Sequence, residues 1–399
     1  MYINFRRISK CRCVHLLVAS LVLYVMLVGL EPLDHHAVSH VRSFGYRYLV
    51  NKFDFNATFR AAAHRRHGSP ETGHDGGGTT GFPYLINHPD KCDGGSGGGG
   101  GGWGRVLLLL FVKSSPENSA QRRAIRDTWG NETFVRGRRG ERVHVLFVLG
   151  AHPDPGQRLR VQEDLLREDR AHGDLIQQDF ADTFHNLTAK LVLQFQWARH
   201  HCPDARFLMS ADDDVFVHVP NLLRYLRGLL DSPSGGRDLW VGHVHRGAPP
   251  NRRKSSKYYV SRELYPLPCY PDYTAGAGYV VSGDVAAKIY GATLVLRSSM
   301  YIDDVFMGMC ASVAGVSPLD HAYFSGEGKA QRHPCIFDQM ITSHGHETDM
   351  YALWRATAER ELARSAQGPL GDTYCVAVRA ALLCRPHYRD TYSCMAAFM

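Results

Sequence analysis

Continuous apolar runs alternate with amphipathic stretches between residues 105 and 230 of this 399-residue chain. Uninterrupted apolar runs are typical of strands buried on both faces of a sheet, whereas a period of 3.6 residues indicates a helix. The alternation of the two predicts an α/β fold, with a mostly parallel sheet and helices on both of its faces. Strands are predicted at 106–112, 143–149, 175–176, 207–210 and 215–219, and helices at 114–130, 157–170, 188–201 and 221–230.

An apolar segment near the N-terminus, Val14–Leu30, is the right length for a membrane helix of about 25 Å. Because the preceding thirteen residues carry cations and no acid, the positive-inside bias predicts a cytosolic tail at 1–13 and a body across the membrane. We therefore predict that 14–30 is an uncleaved signal-anchor, with a cleaved secretory signal as the alternative. The four cations are Arg6, Arg7, Lys10 and Arg12.

The segment that follows, 31–104, has a composition unlike the rest of the chain. Of the 39 glycines, 14 lie between Gly73 and Gly104, including a run at 94–102 that only Ser96 interrupts. Such a run behaves as a flexible coil. We therefore predict a flexible stem at 31–104 and a lumenal catalytic domain at 105–399, with the more apolar segment 82–87 docking on that domain.

Charge is unevenly distributed along the chain, and its distribution indicates whether the body is suited to bind nucleic acid. The formal net charge is +7, yet residues 105–399 hold 35 basic and 32 acidic side chains. A nucleic-acid-binding domain is usually strongly basic, so the nearly neutral body argues against that function.

The sequons and the cysteines both support the prediction that the body of the chain lies across the membrane. Asn56, Asn131 and Asn186 each begin an Asn-x-Ser/Thr pattern and are predicted to be glycosylated. Eight of the ten cysteines lie beyond the predicted anchor and none forms a C-x-x-C pair, which favours disulfides over a zinc site. The spacing leaves their pairing open.

Two acidic motifs are candidates for chemistry. Asp212-Asp213-Asp214 follows a predicted buried strand, where ligands of open α/β sheets bind. Three adjacent carboxylates favour a hard divalent cation that bridges to a diphosphate, although a solvated acidic turn is the simpler alternative. Asp303 and Asp304 lie among apolar residues, where burial would raise a carboxyl pKa and suit a general base. The alternative is that these two aspartates only cap the N-terminus of a helix.

Basic and aromatic residues form weaker candidates. Arg122 and Arg126 lie four residues apart on one predicted helix face and could hold a phosphate or nucleobase, or could form a solvated basic face. The segments 254–259 and 270–279 combine tyrosine with small residues, which suits sugar binding but also a core hairpin. His344 is a further candidate ligand for an ion held by Asp214.

Five motifs in order, RRAIRDTWG, DFADTFHNLTAK, FLMSADDDVFVHV, YPDYTAGAGYVVSG and IDDVFMGMC, together resemble the inverting β-1,3-glycosyltransferase family with a GT-A fold. The resemblance runs from about residue 84 to the C-terminus. It implies that Asp214 and His344 bind Mn²⁺ and that Asp304 is the general base. It further implies that Asp212 and Asp213 face the nucleotide of the donor, with Arg122 and Arg126 lining the same pocket.

The segments between and around these five motifs indicate which member of the family the chain resembles. They resemble a member that transfers GlcNAc from UDP-GlcNAc in β-1,3 linkage to lactosylceramide, which also implies a type II protein of the Golgi membrane. A β-1,3-galactosyltransferase or a poly-N-acetyllactosamine synthase of the same family is the first alternative. A catalytically silent, lectin-like protein that retains the fold is the second, and the intact Asp304 and His344 argue against it.

Overall fold

The fold is taken from a computed structural model. It describes residues 19–20, 53–67, 81–93, 106–135, 142–296, 299–326, 328–364, 369–384, 391–392 and 394–398. No helix within these residues combines the length and the apolar character needed to cross a bilayer. Apart from residues 19–20, the predicted tail and anchor lie outside the described residues, as does the glycine run at 94–102.

An eight-stranded sheet forms the centre of the described chain, in the order β1-β4-β3-β2-β5-β8-β7-β9. The neighbouring strands β4, β3, β2 and β5 are parallel, whereas β1, β8 and β7 join as antiparallel strands and β9 pairs in parallel with β7. The strands are β1 Tyr84–Ile86, β2 Val106–Lys113, β3 Arg142–Ala151, β4 Leu175–Ala181, β5 Phe207–Asp212, β7 Trp240–His245, β8 Tyr273–Ser282 and β9 Leu319–Asp320. A separate pair joins β6, Phe216–Val217, to β10, Thr342–Ser343.

Helices cover both faces of this sheet. Successive residues of β2 point into two different cores, with Leu108 and Leu110 in one and Leu109 and Phe111 in the other. The described helices are α1 Phe55–His67, α2 Ser119–Asp127, α3 Glu132–Val135, α4 Pro155–His172, α5 Leu187–His201, α6 Val219–Leu230, α7 Gly283–Leu296, α8 Asp303–Ala314, α9 Pro334–Phe337, α10 Met350–Arg364 and α11 Pro369–Leu383. The first core takes residues from α2, α4, α6 and α10, and the second from α1, α5, α7 and α8.

The predicted α/β class is thus confirmed, and each predicted strand and helix up to residue 230 has a counterpart within a few residues. Gln177, beside the predicted 175–176 strand, is fully buried, and the strand extends to Ala181. The expectation of a mostly parallel sheet is confirmed, because β4, β3, β2 and β5 pair in parallel and β9 pairs in parallel with β7. Beyond β5 the chain returns through antiparallel strands β8 and β7, which the apolar pattern does not reveal.

Two segments within the predicted stem pack against the folded body; the docking of 82–87 was predicted, whereas that of α1 was not. Phe55 and Phe59 of α1 are buried in the core that α8 shares, and the Arg60 guanidinium donates to the carbonyl of Val313 at 3.1 Å. Strand β1 pairs with β4, as expected for the apolar segment 82–87. A helix with few apolar residues and an edge strand gain their stability from packing, so glycine content alone does not separate stem from body.

Disulfides join six of the eight cysteines beyond residue 90. Cys92–Cys202 ties the segment after β1 to the end of α5. The remaining bonds secure the C-terminal helices and the segment after them, and are Cys335–Cys375 and Cys384–Cys394. The predicted use of cysteine is confirmed for these six, whereas Cys269 and Cys310 are buried free thiols.

Candidate active site

The carboxyl ends of β2 and β5 lie side by side, because Lys113 is in register with Asp212. The Lys113 ammonium lies 2.9 Å from a carboxylate oxygen of Asp212 and 2.9 Å from one of Asp303, and it donates to the carbonyl of Gly276 at 3.2 Å. Burial opposes the charge, but the two carboxylates outweigh it and raise the pKa of Lys113 well above its ordinary value. Lys113 therefore neutralises members of both acidic motifs, a role that sequence reasoning missed.

Three side chains form a candidate metal cluster at this edge. Ligand atoms of Asp212, Asp214 and His344 lie within 4.8 Å of one another, and His344 Nε2 lies 3.3 Å from Asp214 Oδ2. Burial alone would raise the pKa of Asp214, but the hydrogen bond and charge of His344 lower it below its ordinary value. The sequence analysis predicted that Asp214 and His344 bind the same cation. The structure adds Asp212 to this cluster, although the resemblance implied that Asp212 faces the nucleotide.

An unsatisfied oxygen shows that this cluster fits a cation. Asp214 Oδ1 is buried and accepts no hydrogen bond from any residue in the described part of the chain. Buried polar atoms normally have a partner, so this oxygen is directed at a group from outside the protein. Two carboxylates and an imidazole are ligands that Mn²⁺ or Mg²⁺ accepts.

A small sheet brings His344 to the acidic triplet. Strand β10 pairs with β6, and the backbone N–H of His346 donates to the carbonyl of Asp214 at 2.6 Å. Tyr392, which is fully buried, donates to the carbonyl of Thr342 in β10 at 2.5 Å. The C-terminal segment thus supports the strand that carries the candidate ligand. His346 has a structural role, bonded to Ser343 and Asp349.

The carboxylate of Asp213 is hydrogen-bonded to the loop that follows β2. One of its carboxylate oxygens accepts hydrogen bonds from the Ser114 hydroxyl at 2.7 Å and the Asn118 amide at 2.9 Å. Burial raises the pKa of Asp213 above its ordinary value, although these hydrogen bonds oppose the rise. Asp213 lines the candidate cavity and also fixes that loop, and its role in donor binding stays a prediction.

Asp303 and Asp304 begin α8 but have different partners. Asp303 is held by Lys113, whereas Asp304 is not paired with a cation within the described chain and accepts only the N–H of Val305, at 2.7 Å. Asp304 is partly buried in the lining of the cavity described below, and burial together with the charge of Asp303 raises its pKa to about 7. An unpaired carboxylate with such a pKa suits proton abstraction near neutral pH.

One cavity of about 680 Å³ joins these groups. Carboxylates and cations line one part of it, and apolar or aromatic side chains line another, which is the usual composition of a small-molecule site. The cavity therefore holds the candidate metal cluster, the unpaired carboxylate and an apolar wall together. Its lining includes Lys113, Ser114, Phe184, Leu187, Lys190, Asp212, Asp213, Asp214, Lys257, Tyr258, Gly276, Ile302, Asp303, Asp304 and His344.

Arg122 and Arg126 do not reach this cavity, which corrects their predicted placement. All five N–H donors of Arg122 are used inside the protein, by Glu168, Ser114, and the carbonyls of 115 and 116. Arg126 forms ion pairs with Glu168 and Asp174, each at 2.7–2.8 Å. Arg122 holds the loop that carries Ser114 and so acts on the site through Asp213. We therefore expect Arg126 to have a structural role only.

Replacing Arg126 by methionine tests this assignment. The change leaves Asp174 buried without its cation, so we expect the free energy of unfolding to fall by about 3 kcal/mol. The affinity for UDP, measured by calorimetry on the folded variant, should match that of the wild type. Weaker UDP binding at unchanged stability would restore a role in donor binding.

The three sequon asparagines lie where a glycan has room. Asn56, Asn131 and Asn186 are each partly exposed, although the Thr188 hydroxyl of the last sequon is buried and donates to the carbonyl of Met300 at 2.6 Å. Glycosylation at these positions stays a prediction.

Known proteins resemble this chain along its whole length. A sequence model of the family described as Galactosyltransferase matches residues 120–322. A zebrafish (Danio rerio) protein, lactosylceramide 1,3-N-acetyl-beta-D-glucosaminyltransferase A, is 53% identical over 399 residues, with 100% of both chains covered. The human (Homo sapiens) protein named lactosylceramide 1,3-N-acetyl-beta-D-glucosaminyltransferase is 48% identical over 399 residues, again with 100% of both covered.

Among solved structures, a glycosyltransferase involved in glycosylation of the major capsid of PBCV-1 aligns with 64% of this chain and 99% of its own. Its TM-score is 0.34 and its identity is 11%, so the assignment rests on the sequence matches instead. The family model spans half of the chain, and the curated relatives, all glycosyltransferases, cover the whole of it. The chain therefore belongs to the galactosyltransferase family of glycosyltransferases.

Proposed function

We propose that this protein transfers GlcNAc from UDP-GlcNAc to the terminal galactose of lactosylceramide, forming a β-1,3 bond. The observation that carries the proposed reaction is the presence in one cavity of a three-residue metal cluster and the unpaired carboxylate of Asp304. The substrates are proposed from the names of the full-length relatives, which are 53% and 48% identical to this chain.

The donor diphosphate is proposed to bind beside Asp212, Asp214 and His344. These residues would hold a divalent cation, with Mn²⁺ as the proposed ion, which supplies positive charge to the diphosphate and its leaving oxygen. Lys113 keeps Asp212 oriented at 2.9 Å, and the bonds from Ser114 and Asn118 keep Asp213 beside the same space. The chain thus provides a fixed acidic edge, in which Lys113 offsets part of the repulsion between the carboxylates.

The acceptor is proposed to bind with its galactose 3-hydroxyl at Asp304. The hydroxyl oxygen attacks the anomeric carbon of GlcNAc while its proton passes to the Asp304 carboxylate, and the bond from that carbon to the UDP oxygen breaks. One displacement from the opposite side converts the α-linked donor sugar into a β-linked product. Asp303 is held by Lys113 at 2.9 Å, which leaves Asp304 as the base.

The cellular setting is part of the same proposal. We infer a GT-A fold, with residues 14–30 as a signal-anchor and the body in the Golgi lumen. The apolar segment after four cations, the three sequons and the three disulfides support this setting. The test is protease protection of the full chain in sealed Golgi vesicles: a protected body supports it, and a digested body contradicts it.

A donor and acceptor panel tests the proposed activity. The purified full chain is incubated in detergent with UDP-GlcNAc or UDP-galactose, Mn²⁺, and either lactosylceramide or free N-acetyllactosamine. We expect GlcNAc transfer to lactosylceramide, and loss of transfer when a chelator removes the cation. Transfer of galactose would identify a galactosyltransferase, and preference for N-acetyllactosamine would identify a poly-N-acetyllactosamine synthase. No transfer from either donor would favour the lectin-like alternative.

A further inference from the structure

One side of the cavity is apolar, and the proposed chemistry does not use it. Phe184, Leu187, Tyr258 and Ile302, which we call the apolar wall, line the same cavity as the carboxylates. The rings of Phe184 and Tyr258 meet edge to face, with centroids 5.4 Å apart. Tyr258 is 45% exposed. A large aromatic side chain left open to a ligand cavity marks a contact surface for ligand.

The apolar wall is built against the segment that leads into Asp304. Ile302 directly precedes α8, and the Tyr301 ring lies 6.1 Å from that of Phe184 and 4.8 Å from that of His185. The Tyr301 hydroxyl also donates to the carbonyl of Tyr259, which fixes the neighbouring loop. A sugar whose hydroxyl reaches Asp304 therefore has this wall beside it.

The loop that presents Tyr258 is held in place before any ligand arrives. The Arg252 guanidinium donates to four backbone carbonyls, those of 260, 261, 265 and 267, at 2.7–3.1 Å. The backbone N–H of Val260 also donates to the carbonyl of Asn251 at 2.9 Å. A ligand surface that is ordered in advance loses less entropy on binding.

Lys257 lies over the two rings, with its ammonium 5.0 Å from the Tyr258 centroid and 5.5 Å from that of Phe184. A cation–π contact at such an exposed position is worth about 0.5–1 kcal/mol. An incoming ligand can displace this contact at low cost. The faces of the rings are therefore available to a ligand.

We propose that the apolar wall binds the acceptor glycan, with a hexose ring of the lactosyl unit stacked on Tyr258 and Phe184. A pyranose presents a face of C–H groups whose partial positive charge matches the negative face of an aromatic ring. The carboxylate part of the cavity suits hydroxyl groups and a cation, whereas the aromatic rings of this wall suit that face. The inference rests on the proposed function for its choice of a lactosyl acceptor.

Direct binding tests this inference apart from catalysis. Methyl β-lactoside is titrated into the purified full chain with UDP and Mn²⁺ present, and binding is followed by saturation-transfer NMR. Tyr258→Ala should raise the dissociation constant about threefold to tenfold, which is equivalent to about 0.6–1.4 kcal/mol. Tyr258→Phe keeps the ring and should bind as the wild type does. The control Tyr374→Ala removes another exposed tyrosine, 58% exposed and outside the cavity lining, and should change nothing.

A second variant and the UDP affinity complete the test. Phe184→Leu keeps an apolar side chain but removes the second ring, so it should also weaken lactoside binding while UDP binds normally. Unchanged lactoside binding in Tyr258→Ala, an equal loss of UDP affinity, or no lactoside binding to the wild type would each overturn the inference. Ring-dependent lactoside binding without any GlcNAc transfer would support it while contradicting the proposed activity.

Discussion

Asp304→Asn is expected to lower kcat by about a thousandfold, within the range that a positioned general base contributes. The amide cannot take the proton from the acceptor hydroxyl, while the side chain keeps its size and position at the start of α8. Because Asp304 is not a member of the metal cluster, UDP affinity should stay within twofold of the wild type, a margin of about 0.4 kcal/mol. Single-turnover transfer and calorimetry measure the two effects, and a variant with normal turnover would refute the assignment.

The pH dependence provides a second test of Asp304. Burial raises its pKa to about 7, and a base must be ionised to act, so kcat/KM of the wild type should rise with pH through about 7 and then level off. The residual activity of Asp304→Asn should lack this rise. The same shift means that the contribution of Asp304 to the stability of the folded state falls as pH increases from about 4 to 7, and Asp304→Asn should lack this contribution.

Lys113→Met is expected to have the largest effect on stability. It leaves two carboxylates without the ammonium that lies 2.9 Å from each, namely Asp303, which is buried, and Asp212, whose side chain is 36% exposed. Removing one partner of a buried pair costs about 3–5 kcal/mol, and we expect a fall of about 4 kcal/mol in the free energy of unfolding. Chemical denaturation monitored by circular dichroism measures it. Transfer activity should be lost as well, because the ammonium orients a member of each acidic motif.

An exposed lysine provides the matched control. Lys288 pairs with Asp238 at 2.9 Å, with side-chain exposures of 46% and 69%, so Lys288→Met should change stability by less than about 1 kcal/mol. If Lys113→Met were as stable as this control, the ammonium would not neutralise the site. If Lys113→Met were unstable but fully active, its orienting role would be wrong.

The local pattern of the sequence predicts the parallel half of the sheet and the edge that holds the site. A strand with a continuous apolar run such as 106–112 is stable only when both of its faces are buried. Ligands of such sheets bind beyond the carboxyl ends of the strands. The placement of Asp212–Asp214 followed from these two facts. The roles of His344 and Asp304 instead required a resemblance to a family, because neither strand nor helix periodicity shows that residues so far apart meet.

Long-range partners account for what sequence reasoning missed. Lys113 and Asp303 are 190 residues apart, and Arg122 meets Glu168 over 46 residues, so neither pairing is visible in a local window. One signal for Lys113 was present, since it is a lone cation at the end of an apolar strand. For Arg122 and Arg126 the local pattern is misleading, because charged residues on one helix face predict that this face is exposed to solvent. The acids that neutralise them are Glu168 in α4 and Asp174 in the segment between α4 and β4.

The antiparallel half of the sheet and α1 were missed for a different reason. Strand β8 contains glycine and tyrosine in a segment that suits either a hairpin or a ligand loop, and its pairing with β5 and β7 decides between them. Helix α1 has no strong apolar stripe beyond Phe55 and Phe59, and its packing partner α8 lies about 250 residues away. Tertiary contact, more than local preference, determines such elements.

The configuration of the transferred sugar tests the central claim most directly, namely that Asp304 directs a single displacement in this cavity. The product formed by the wild-type chain from UDP-GlcNAc and lactosylceramide is isolated, and NMR identifies the anomeric configuration and the linkage position. We predict a β-linked GlcNAc on the 3-hydroxyl of galactose. An α-linked product would require two displacements and a nucleophile in place of a base, and would contradict the account.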